Sequence, residues 1–125
     1  MSDPREAFQK FLAQQRADYG LALPAKVAEI DTGWQAALKS GEPAPPALAE
    51  LERMAHTLAG TAGTLGFVEA GRAAGELEEL LERAAAGGVI DGPAQWAGIT
   101  SAVQALRAAA APDGAADQTT HTKET

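Results

Sequence analysis

The chain contains no cysteine, so disulfides, thiolate metal ligands and cysteine nucleophiles are all excluded. Histidine is nearly absent as well. There are two, His56 and His121, and the second lies in a polar C-terminal stretch, so no metal site is expected. Aromatic residues are few, with three Phe, two Trp and one Tyr. No apolar run approaches the roughly 18 residues needed to span a bilayer. Positive charge is also short, with 10 basic against 17 acidic residues for a net charge of −7. Such a chain gains nothing from counterion release on nucleic acid and is repelled by anionic lipid, so neither is an expected partner. Neither a phosphate-binding Gly-x-x-x-x-Gly-Lys-Ser/Thr loop nor a kinase signature occurs. The start, Met1-Ser2-Asp3-Pro4-Arg5-Glu6, does not read as a signal peptide, and the expected setting is the cytoplasm.

No period-two strand pattern and no fixed-period repeat is found, and a length of 125 residues suits one domain with its own core. The chain reads as helices. A first is expected over about 4–18, with Phe8, Phe11 and Leu12 as its apolar stripe and Gly20 as its end. A second starts near Pro24 and runs through Val27, Ile30, Trp34 and Leu38 to Ser40, with Gly41 as the C-terminal cap. Gly33 inside it marks a local weakness or a close contact. The proline-rich stretch 42–46 is a loop. A third helix is expected over 46–65, ended by Gly66, and a fourth over 67–86, ended by Gly87-Gly88. A fifth is expected over 92–110, stopped by Pro112. The expected fold is therefore all-α: an antiparallel up-down four-helix bundle over residues 1–112, with the additional N-terminal helix covering it. The Phe pair and Trp34 are expected to pack in its core. Residues 113–125 are polar and aperiodic and are expected to form a disordered tail.

One run stands out: His56-Thr57-Leu58-Ala59-Gly60-Thr61-Ala62-Gly63-Thr64-Leu65-Gly66. Leu48, Leu51, Ala55, Leu58, Ala62 and Leu65 recur at three- and four-residue steps and mark one buried face. At about 100° per residue His56 points away from that face, towards solvent. Ala59, Gly60 and Gly63 lie on its side of the helix. Each interior Gly costs a helix about 0.5–1 kcal/mol against Ala. A use that offsets this is clearance for the backbone of a partner around an exposed imidazole. On the next helix Glu78 falls beside the buried stripe, and Gly71 and Gly75 share its flank, which lets a neighbouring helix approach. A carboxylate there is placed to accept the Nδ1–H of His56 and leave Nε2 as nucleophile. The competing reading of Glu78 is a solvated acidic face shared with Glu76, Glu79 and Glu82.

The run resembles the histidine phosphotransfer (HPt) domains of two-component phosphorelays. Their helix carries His-x-Leu-(Lys/Arg)-Gly, then small residues and a second Gly ten after the His. His56, Leu58, Gly60 and Gly66 match, with Thr61, Ala62 and Gly63 between. Leu77 and Glu78 fall where the family has a Leu-Glu or apolar-Gln pair. Ala59 departs from the pattern, because the family has a basic residue there. Arg53, one turn before His56, is the candidate to stabilise the phosphoryl group in its place; its alternative is a surface pair with Glu50 or Glu52. The resemblance implies a phosphoryl carrier rather than an autonomous kinase or phosphatase. It implies His56 as phosphoacceptor, with Ala59, Gly60 and Gly63 as the docking surface. The implied partner is the receiver domain of a response regulator or hybrid histidine kinase, which brings its own Mg2+, so this chain needs no cofactor. The alternatives are a docking module of the same shape that is never phosphorylated, and an unrelated regulatory bundle that binds a basic protein.

Overall fold

The computed structural model describes residues 3–41, 45–86 and 93–111. All regular structure among them is helical: α1 (Pro4–Ser40), α2 (Pro45–Thr64), α3 (Val68–Ala86) and α4 (Pro93–Ala110). The chain's own residues set these ends. Asp3 caps α1, its carboxylate accepting from the Arg5 N–H at 3.1 Å, with Pro4 in the first turn, where a missing N–H costs nothing. Gly41 closes α1 at φ 77° and donates its N–H to the carbonyls of Ala37 and Leu38. Gly66, at φ 92°, ends α2. Its N–H reaches the Gly63 carbonyl at 3.2 Å, and the Phe67 N–H reaches that of Ala62 at 2.8 Å. This paired closure needs a left-handed residue, which Gly supplies without strain. The expected stops at Gly87-Gly88 and Pro112, and the tail 113–125, lie outside the described residues.

The helices form a ring in which each packs on two neighbours: α1 on α2 and α4, and α3 on α2 and α4. Neighbours run antiparallel. Gly33 of α1 meets Leu51 of α2, whereas Arg16 meets Gly66. The core between them is aliphatic apart from one indole, with Leu23, Val27, Ile30 and Trp34 from α1 and Ile99, Val103 and Leu106 from α4. Leu48, Leu51 and Leu58 of α2 face Leu77 and Leu81 of α3 within it. Trp34 is fully buried, and its Nε1–H donates to the Thr100 hydroxyl at 2.9 Å. Gly33 proves to be a close contact, because a Cβ there would lie 2.8 Å from Leu51 Cδ2.

One expectation is corrected. The two N-terminal helices are a single helix of 37 residues that passes through both Gly20 and Pro24. Gly20 is a notch and not a break: a Cβ there would lie 3.1 Å from Phe67 Cζ. The Phe67 ring sits against it, with the Tyr19 ring 5.9 Å away and the Arg16 guanidinium carbon 5.8 Å from the ring centroid. Pro24 forfeits a hydrogen bond to the Gly20 carbonyl, a defect of about 3 kcal/mol in a helix interior. Burial of Leu23, Val27 and Ile30 around it is worth about 1.5–3 kcal/mol per side chain and holds the helix together. The N-terminal segment therefore does not fold over the bundle as a separate cover. Residues 4–18 are exposed, because a helix of 37 residues runs to about 55 Å, almost twice the length of its neighbours. The Phe pair is corrected with it: Phe8 and Phe11 are 60% and 56% exposed, whereas Trp34 is 1% exposed.

Candidate functional site

The site begins with the α2–α3 seam. Gly71 is buried on α3. A Cβ on it would lie 3.1 Å from Gly63 N, 3.2 Å from Gly63 Cα and 3.4 Å from the Ala59 carbonyl oxygen. Every one of those atoms is backbone, so the two helices touch main chain to main chain. Ala59 is half-buried and packs against the core from this seam. Its side chain is less open than the positions of Gly60 and Gly63. Gly60 and Gly63 are exposed, and a Cβ on either would meet nothing within 4 Å. Neither is needed to make room for a side chain of this molecule. The same is true of Gly75, which does not mediate the approach the sequence suggested for it.

Two turns along the same seam, His56 meets Glu78. The imidazole Nδ1 lies 2.7 Å from Glu78 Oε2. The His56 side chain is 72% exposed and that of Glu78 is 25% exposed. An ionised carboxylate only accepts hydrogen bonds, so beside an ionised Glu78 the ring donates from Nδ1–H, and a neutral ring so placed carries its lone pair on Nε2. The solvated-face reading of Glu78 gives way to this contact. Glu78 is the half-buried member of its acidic helix face, while Glu76, Glu79 and Glu82 are exposed.

Around the ring, His56, Thr57, Gly60, Thr61, Thr64 and Leu65 line a shallow groove along α2. The three threonines were not singled out from the sequence. Their signal was there: Thr57 and Thr61, like Gly60 and Thr64, are four apart and share a helix flank. Arg53 is exposed and engaged elsewhere. Its Nη2 lies 2.5 Å from Glu50 Oε2 and its Nε donates to Oε1 at 3.2 Å. Hydrogen bonding to the guanidinium holds the Glu50 carboxyl below its ordinary range. The structure thus brings His56 and Glu78 together and leaves Arg53 in a pair of its own. Among the described residues, no group of three or more His, Cys, Asp or Glu side chains could hold a metal ion. No helix among them is long and apolar enough to cross a membrane.

A family model, that of the Hpt domain, matches residues 6–109. No curated protein and no solved structure matches the chain. Hpt domains are phosphocarrier modules that pass phosphoryl groups through a histidine in two-component signalling, in company with receiver domains.

Proposed function

Since the chain belongs to the Hpt domain family, we propose that it relays a phosphoryl group between Nε2 of His56 and the aspartate of a receiver domain. The observation that carries this reading is the 2.7 Å contact between His56 Nδ1 and Glu78 on an otherwise open ring. The Nε2 lone pair attacks the phosphorus of the receiver's aspartyl phosphate. The P–O bond to the aspartate breaks and the carboxylate leaves. No proton has to depart from Nε2, because the ring proton sits on Nδ1. The product is an N-phosphorylated imidazolium whose positive charge faces the Glu78 carboxylate, and the reverse transfer retraces the same path. The role of Glu78 is to orient the ring and stabilise its charge, as carboxylates behind catalytic histidines do.

The partner is the receiver of a response regulator or of a hybrid kinase, in the cytoplasm, and the receiver supplies Mg2+ to balance the phosphoryl charge. It docks over the open groove beside His56, at Gly60, and over the exposed Gly63. Stabilisation of the phosphoryl oxygens by Arg53 requires release from Glu50, which costs little because exposed ion pairs are weak. The test is incubation of the chain with a labelled, phosphorylated receiver, scored for acid-labile, alkali-stable label. His56→Gln should keep the fold, since an exposed side chain leaves no cavity, and should take no label. Label on the variant equal to that on the unaltered chain would rule His56 out.

A further inference from the structure

Building on the reading of His56 as phosphoacceptor, we infer that Gly71 is a positioning residue, whose missing side chain sets the reach of Glu78 to His56. Two rungs of the α2–α3 seam carry the inference. In one, the Gly71 site for a Cβ lies 3.1 Å from Gly63 N. In the other, Glu78 Oε2 lies 2.7 Å from His56 Nδ1. Gly71 precedes Glu78 by seven residues on α3, and Gly63 follows His56 by seven on α2. Seven residues are close to two turns, so both rungs lie on one face of each helix, about 10 Å apart along the axis.

A contact tighter than nine in ten real Cβ contacts, whose three nearest atoms are all backbone, leaves no side chain to swing away. A Cβ at position 71 makes the α2–α3 seam give by a few tenths of an ångström. The hydrogen bond two turns along answers to that spacing, because it spans the seam at 2.7 Å with one side chain from each helix. Gly63 differs in kind. Its own Cβ would enter open space, so only its backbone takes part. Gly71 thus acts on the chemistry through Glu78: it holds the Nδ1 proton in place and keeps Nε2 free, without touching the ring.

The experiment uses the full chain labelled with 15N. The ring nitrogens of His56 are assigned by their loss in His56→Gln and read at a pH where the ring is neutral. The unaltered chain should show the Nδ1–H tautomer in place of the ordinary preference for Nε2–H. Gly71→Ala should move the ring towards Nε2–H, as should Glu78→Ala. Gly63→Ala should leave it unchanged. Labelling from a phosphorylated receiver should slow about tenfold or more in Gly71→Ala, a share of what an orienting contact contributes. In the Glu78→Ala background the same change should slow it no further, since residues acting through one contact do not add.

A wild-type tautomer in Gly71→Ala, or an equal slowing with and without Glu78, would overturn the inference. So would a Gly63→Ala shift as large as that of Gly71→Ala. If Gly71→Ala does not fold, Glu78→Asp carries the test: one methylene shorter, it should lose the contact, and a retained Nδ1–H tautomer would show that the seam spacing is not limiting. A ring that responds to Gly71→Ala in a chain that never accepts label would sink the phosphoacceptor reading and leave the positioning of the ring supported.

Discussion

His56 and Glu78 stand 22 residues apart in the chain and 2.7 Å apart in the fold, Nδ1 to Oε2. Under the proposed function, the contact holds the proton on Nδ1 and leaves Nε2 to react. It sits at the surface, where an ordinary charged pair is worth little to stability. Its value is therefore expected in rate and not in melting temperature.

Glu78→Ala should slow phosphoryl transfer by about 10²-fold, the usual contribution of a positioned acid–base or orienting group. Unfolding should move by less than about 1 kcal/mol, as for a surface pair. Single-turnover transfer from a phosphorylated receiver, set beside a thermal melt, separates the two. A variant as fast as the unaltered chain would reduce Glu78 to a bystander.

Gly60→Glu and Gly63→Glu place a bulky anion into the open space beside the ring. The proposed receiver presents an aspartate at its active site, so an added anion opposes docking by like-charge repulsion. Each change also replaces Gly by a better helix former, worth about 0.5–1 kcal/mol. Loss of transfer with an unchanged or raised melting temperature is the expected pair of results. Normal transfer by both would place the receiver on some other face.

The two groups of large aromatic residues should separate cleanly in stability. Trp34→Ala removes a buried ring and its bond to Thr100, which should cost about 3–5 kcal/mol. Phe11→Ala trims a side chain that is 56% exposed and should cost under about 1 kcal/mol. Urea unfolding of the two variants checks this, and comparable losses would mean that the N-terminal half of α1 is packed in solution.

Pro24→Ala restores an N–H inside α1 and relieves the ring against the Gly20 carbonyl. A gain of about 1–2 kcal/mol is expected, the helix-interior cost of proline less the entropy that proline removes from the unfolded chain. Denaturant titration gives the sign directly. A loss of stability would show that the half-buried ring of Pro24 contributes more by packing than its missing hydrogen bond takes away.

Much of the fold was legible because it is local. The three- and four-residue steps of Leu48, Leu51, Ala55 and Leu58 specify a helix and its buried face, and that face puts His56 outside. Gly41 and Gly66 read as stops, and both adopt the left-handed conformation, at φ 77° and 92°. The prolines and glycines of α1 misled for the opposite reason. Gly20 and Pro24 are weak points in an isolated helix, yet the Phe67 ring against Gly20 and the core around Pro24 keep the helix unbroken, and no local rule contains Phe67.

By itself, then, the sequence determined the helical class, the exposed histidine with its small neighbours, and the family likeness, since each depends on residue types at fixed spacings along one helix. Only the tertiary structure decided the rest. It chose between a solvated and a ring-bound Glu78, set Ala59 half-buried against the core and left residues 4–18 of α1 exposed. The first two turn on the distance and register between two helices, and the third on the length of α1. Along the α2–α3 seam Gly71 lies against the backbone of Gly63, a contact between segments that no single-helix periodicity can place.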